Sequence, residues 1–174
     1  VFPCNIMLVA ASNPCRCGYL GNEEQECTCT ERQIASYRTK FTGPLIDRID
    51  MHIQVQPVKY DQIRSDHPAT SSREMRSQVY DAVLMQKERY TGTDILFNSQ
   101  LTSRQVKHYC RLGQEETAMM EQAYETLWLN MRTYDKIIKI SRTIADLHQS
   151  DTIDVYHVAE ALQYRMINKI YGRR

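Results

Sequence analysis

The chain has 174 residues, with 22 lysines and arginines against 21 aspartates and glutamates, a formal net charge of +1, 42% apolar residues and 25% charged residues. The length fits one domain, or one plus a small appendage, and the composition is that of a globular protein. The charge balance excludes a polycationic nucleic-acid coat and an acidic solvating tail, so contact with a polyanion must come from a local patch.

The start of the chain has no basic segment followed by an apolar one, and so does not read as a secretory leader. Its apolar run, Ile6-Met7-Leu8-Val9-Ala10-Ala11, falls far short of the roughly 20 residues that span a bilayer. The expectation is a cytoplasmic protein with no membrane partner. The absence of an initiator Met, and an apolar strand so near the start, lead us to expect a piece of a longer protein. Residues 6–11 read as a buried strand of a parallel sheet, closed by Ser12-Asn13-Pro14. A cysteine-rich loop follows, with Gly18 and Gly21 at its turns. Thr30 and Gln33 form a capping-box pattern, placing a short helix over 30–38. Gly43-Pro44 breaks the chain. Residues 50–56 alternate polar and apolar and read as a second strand, ended by Pro57.

From about residue 70 the pattern turns helical. Pro68 and Ser71-Ser72 open a helix through about Tyr90, with Met75, Val79, Ala82 and Gln86 at helical spacing. Thr102-Ser103 caps a helix to about Cys110, and Gly113 separates it from one over 114–129. Asn130 caps the next, where Ile137, Ile140, Ile144 and Leu147 form a stripe. A last helix starts at 151–154 and carries Val155, Val158, Leu162 and Met166 on one face. The expected fold class is an α/β fragment over 1–60, with a cysteine loop at 15–29, followed by an all-α domain over 70–174. Two strands do not make a self-sufficient sheet, which again points to further sequence upstream.

Four constellations carry chemistry. Cys15, Cys17, Cys27 and Cys29 give C-x-C, nine residues, C-x-C. In a reducing compartment clustered thiols are metal ligands more often than disulfides, and four thiolates complete a tetrahedral zinc site of structural type. The commoner pair spacing is C-x-x-C, and four free thiols in a surface loop is the alternative. Asn13 stands at the end of a predicted strand, where α/β sheets bind ligands; it also fits as a turn cap before Pro14. Arg48 sits between Asp47 and Asp50, either in a surface ion pair or as an arginine presented to a neighbouring subunit's phosphate. Arg132 falls in the first turn of a helix. A cation is disfavoured there unless it meets an anion drawn to the same N–H groups. His52, His108 and His157 show no metal spacing, and Trp128, between Leu127 and Leu129, reads as core. Lys136 and Lys139 with Arg132 make a basic stripe, and Arg173-Arg174 a basic end; a solvated face explains both, with DNA the alternative.

The motifs Asn13-Pro14-Cys15-x-Cys17-Gly18, Gly43-Pro44-Leu45-x-Asp47-Arg48-Ile49-Asp50, the run RTIADL at 142–147 and the run EALQYR at 160–165 occur in that order. Together they resemble the C-terminal half of magnesium-chelatase-related AAA+ proteins of the ComM/YifB type, over essentially the whole chain. The resemblance implies the last strands of a P-loop ATPase core followed by a helical lid. It also implies a sensor-1 Asn at Asn13, an arginine finger at Arg48 acting in trans, and a sensor-2 arginine at Arg132. It further implies ATP and Mg²⁺ as cofactors of the full-length protein, a hexameric ring of like subunits, and ATP-driven translocation and branch migration on DNA in transformation or recombination. This chain departs from the family at Ser12 (usually Met), Arg16 (usually Pro) and Asn130-Met131 (usually Ser-Ala). It contains no G-x-x-x-x-G-K-[ST] run and no strand ending in paired acids, so the 174 residues alone are expected neither to bind ATP well nor to hydrolyse it. Two other functions compete: a zinc-stabilised, non-catalytic module binding nucleic acid or protein, and a magnesium-chelatase ATPase subunit.

Overall fold

A computed structural model of the chain describes residues 6–41, 48–56, 58, 60, 64 and 70–165. The readings at Cys4, 43–47, Pro57, Pro68, Met166 and 173–174 lie outside the described residues. The chain divides into two compact units, Val1–Ile46 and Asp47–Arg173.

In the first unit one helix is described, α1 (Glu31–Arg38), followed by a 3-10 turn at Thr39–Phe41. Thr30 Oγ1 accepts from Gln33 N at 3.3 Å and Gln33 Oε1 accepts from Thr30 N at 2.9 Å, the reciprocal cap its sequence predicts. None of its residues is buried. Among the described residues of this unit only Cys15 is buried. The unit therefore has no apolar core there.

The second unit holds α2 (Ser72–Arg89), α3 (Ser103–Tyr109), α4 (Gln114–Thr126), α5 (Met131–Leu147) and α6 (Val155–Gln163). Ser71 with Glu74 and Thr102 with Gln105 form capping boxes, and Asn130 Oδ1 accepts from Thr133 N at 2.9 Å. α5 is the hub, packing on α2, α3 and α6, while α4 packs on α6. Ile137, Ile144 and Ala145 of α5 join Met120, Val106, Val158, Ala161, Leu101, Tyr90, Cys110 and Ile153 in one core. Each large apolar side chain buried in this way contributes about 1.5–3 kcal/mol.

A charged cluster is sealed against that core. Asp146 is fully buried and accepts from Arg89 at 2.9 and 2.5 Å, from Arg142 Nε at 3.1 Å and from Asn98 Nδ2 at 2.8 Å. Asn98 Oδ1 accepts from Tyr90 Oη at 2.6 Å. The Arg142 guanidinium also donates to the carbonyls of Asp151, at 2.8 Å, and Ser150. A buried carboxylate is tolerable only with such a full set of partners. Burial pushes the Arg142 guanidinium below its ordinary pKa, with Asp146 opposing. The RTIADL run thus reads structurally: Arg142 and Asp146, one turn apart, bind α2, α5 and the turn after α5 together.

Three expectations are corrected. Residues 6–11 and 50–56 form no strand among the described residues. Ile6, Met7, Leu8 and Val9 are 69–90% exposed, and Ile53 and Val55 are exposed as well. The pattern suits a strand, but a strand exists only with a neighbour to take its N–H and C=O groups, and none is described here. Met75 and Val79 of α2 are half exposed, because only the later part of that helix, at Ala82 and Gln86, reaches the core. Trp128 is not core: it is 79% exposed.

Trp128 also has φ +52°. It occupies the left-handed position that ends α4, with Leu129 N donating back to Tyr124 O at 3.1 Å. Gln149, φ +55°, does the same after α5, where Ser150 N donates to Ala145 O at 2.9 Å and Gln149 N to Asp146 O at 3.0 Å. Glycine is the usual occupant of that position, and the two helix ends lack it.

Candidate functional site

In the first unit the four cysteines converge. Their sulfurs all lie within 4.8 Å of one another. Cys15 to Cys17 is 3.4 Å, Cys17 to Cys27 3.5 Å and Cys15 to Cys27 3.7 Å. With metal–sulfur bonds of about 2.3 Å, a tetrahedral thiolate site requires sulfur–sulfur edges of about 3.8 Å. The loop reaches this through two left-handed glycines, Gly18 (φ +91°) and Gly21 (φ +82°), and a turn closed by Gly18 N to Cys15 O at 3.2 Å. Asn22 Oδ1 accepts from Glu24 N at 2.7 Å and Gln25 N at 3.0 Å, bending the chain back toward the second pair.

The thiols are unlike one another. Cys17 is held down to about 5, first by the backbone N–H of Tyr19 and then by Cys15, Thr28 and Cys27. Cys27 is pushed up to about 12: the backbone N–H of Cys29 pulls the other way, but desolvation and the neighbouring sulfurs prevail. Crowded thiols that cannot all ionise together are relieved by a divalent cation, so the donor set fits a thiophilic metal such as zinc. Asn13 lies beside this loop. A Cβ on Gly18 would come to 3.8 Å from Asn13 Nδ2, and Asn13 is exposed.

In the second unit, Arg48 and Arg132 are both exposed. Arg132 stands in the first turn of α5, just after the Asn130 cap. The backbone around Arg48 is tied to the helices. Lys136 Nζ donates to Arg48 O at 2.9 Å and pairs with Asp50 Oδ1 at 2.8 Å. Arg165 Nη1 donates to Ile49 O at 2.5 Å and Asp50 O at 3.5 Å, and His52 N donates to Tyr164 O at 2.8 Å. Lys136 lies one helical turn after Arg132 on α5.

Asp50 therefore carries an ion pair with α5. Lys136 and Lys139, read as a solvated stripe, hold backbone carbonyls, those of Arg48 and Ser99. Tyr164 and Arg165 carry no local sequence signal of their own for this contact. The EALQYR run at 160–165 was the available signal, since it ends in an arginine that packs at only 2% exposure.

Residues 69–165 match the family described as magnesium chelatase, subunit ChlI C-terminal, and residues 1–63 that described as magnesium chelatase, subunit ChlI. The chain is 33% identical over 172 residues to YifB of Escherichia coli and 33% over 171 residues to the competence protein ComM of Haemophilus influenzae, in each case 97% of this chain and 32% of the relative. A mycobacterial relative, Rv2897c of Mycobacterium tuberculosis, is 25% identical over 168 residues, 94% of this chain and 32% of the relative. The chain thus spans about a third of the length of the curated relatives it matches. With the cysteine loop, the tethered Arg48 segment and the helical unit all inside the matched residues, the chain belongs to the magnesium-chelatase ChlI-related family of the ComM/YifB type.

Proposed function

We propose that this chain supplies the sensor, finger and lid portion of an AAA+ ATPase that assembles as a ring and moves along DNA. The observation that carries the reading is the pair of exposed arginines in one unit, Arg48 on a segment pinned to α5 and Arg132 at the start of α5. Phosphoryl transfer needs cationic and hydrogen-bonding partners placed in advance around the transferred group. In this reading Arg48 stabilises charge on the γ-phosphoryl group of ATP·Mg²⁺ held by the adjacent subunit. Arg132 binds nucleotide phosphate from the lid side, and Asn13 orients the attacking water. Competence protein ComM is named for competence; the extension to DNA translocation and branch migration in uptake or recombination, and to a hexamer, is our proposal for this chain.

In the intact protein, Arg48→Ala is expected to lower ATP turnover by about 10³-fold or more, the scale of a missing arginine finger, while nucleotide binding persists. Retained turnover overturns the finger assignment.

The Cys15, Cys17, Cys27 and Cys29 cluster is proposed to hold structural Zn²⁺. A closed four-sulfur set leaves no open position for substrate, so its contribution is to loop stability. A second reading, a zinc-stabilised binding module without catalysis, draws its support from the four converging sulfurs of Cys15, Cys17, Cys27 and Cys29. ATP hydrolysis by the intact protein decides between the two. ATP-dependent metal insertion into a porphyrin, in place of DNA movement, would assign the motor to a chelatase instead.

A further inference from the structure

Arg165 is 2% exposed, and its guanidinium reaches main-chain carbonyls. Burying a guanidinium is costly unless its donors are used. Here it donates to Ile49 O and more distantly to Asp50 O, the carbonyls that immediately follow Arg48. Lys136 holds the carbonyl of Arg48 itself and adds an ion pair to Asp50. Across the same segment His52 N donates to Tyr164 O. Three consecutive carbonyls, at 48, 49 and 50, are therefore gripped by side chains from α5 and from the turn just after α6.

An exposed ion pair such as Lys136–Asp50 stabilises little by itself. Its effect lies in direction. An arginine side chain leaves from a Cα whose orientation is set by the peptides on either side, and the peptide after Arg48 is the one held. The holder on α5 stands one turn from Arg132, so a movement of the first turns of α5 is carried to the backbone of Arg48.

We infer that Arg165 and Lys136 are positioning residues for Arg48, linking its backbone to the helix that bears Arg132. This rests on the reading of Arg48 as the arginine finger. In catalysis, displacement of a reacting group by about 1 Å costs on the order of 10²-fold, so loosening the grip should act on turnover and leave nucleotide affinity alone.

The first test uses this chain. Arg165→Gln is expected to raise amide exchange at 49–52 by about tenfold or more while α5 amides between Ile137 and Ala145 stay protected. Unchanged exchange at 49–52 overturns the grip. If Arg165→Gln loses helical circular dichroism, Arg165→Lys, which keeps one donor, and Lys136→Met are measured instead against the same criterion.

The second test uses the intact protein. Arg165→Gln and Lys136→Met are each expected to lower kcat by about tenfold or more with the KM for ATP within about twofold, and Arg165→Lys to recover part of the loss. Mixing Arg165→Gln subunits with subunits that cannot bind nucleotide but keep Arg165 should restore turnover, because the finger acts on a neighbour. Loss of ATP affinity together with kcat, or no rescue on mixing, marks general damage and overturns the positioning role. If Arg48→Ala abolishes turnover while both tether variants retain it, the inference fails and the finger stands. If Arg48→Ala retains turnover, the finger reading fails, and the exchange result still reports on the grip.

Discussion

The two units hold themselves together by different means. The first buries only Cys15 among its described residues, and its order centres on four sulfurs within 4.8 Å. The second has a continuous apolar core around α5 and a sealed charge cluster at Asp146. A chain stretch too short to bury much apolar surface needs a cross-link or a metal, whereas five packed helices do not. The contrast predicts that the two regions respond to different insults.

The sharpest way to break that comparison is metal removal. Binding free energies of structural zinc in small domains run to about 10–16 kcal/mol. A strong chelator, or Cys17→Ser with Cys27→Ser, is expected to abolish order in the loop over 15–29 and leave the helical circular dichroism of the second unit intact. Metal analysis of the purified chain should give near one equivalent of zinc; less than about half an equivalent counts against the site.

The converse insult is Asp146→Ala. It strands the buried Arg142 and the half-buried Arg89 without their carboxylate and should destabilise the helical unit by about 3–5 kcal/mol, read by denaturant unfolding, with metal content unchanged. Loss of zinc in that variant would show that the units are not separable in stability.

A smaller effect is expected at Trp128. Trp128→Gly relieves the left-handed backbone at the end of α4 and should raise stability by up to about 1 kcal/mol, a shift in Tm of about 2–4 °C for a chain of this size.

The smallest concerns pH. His157 is buried, and its Nδ1 accepts from Asp154 N at 2.9 Å at the start of α6. Desolvation holds its pKa below the ordinary 6.5; Asp154 and Glu160 oppose this, while His148 and Arg142 add to it. The native state therefore favours neutral imidazole. The unfolded state takes up the proton first, so stability is full above pH 6.5 and declines as pH falls from there toward the folded pKa. His157→Gln, an acceptor that does not titrate, should flatten this slope in the helical unit and leave the cysteine loop's response unchanged.

What could be read from the sequence follows from how local each determinant is. The caps at Thr30, Ser71, Thr102 and Asn130 were legible because donor and acceptor lie three residues apart. The ends of α4 and α5 were less so, since Trp128 and Gln149 stand where glycine is the expected signal. The cysteine cluster was legible by spacing, despite the uncommon C-x-C pairs. The charge cluster was not: Asp146 meets Arg89 across 57 residues, and no local pattern announces it. The strand readings failed for a related reason. Alternation at 50–56 states which faces differ, but pairing is decided by a neighbour the segment itself does not contain. The tether of Arg48 was hidden because Arg165 reaches a backbone carbonyl 116 positions away, and a carbonyl has no residue signature.

Trp128 is the chain's sole tryptophan, and it already faces water in the folded state. Intrinsic fluorescence excited at the indole band will consequently barely change when the helical core melts, and a denaturation curve followed that way would miss the transition. Within these 174 residues the indole is therefore an optical probe of the end of α4 rather than of the helical core.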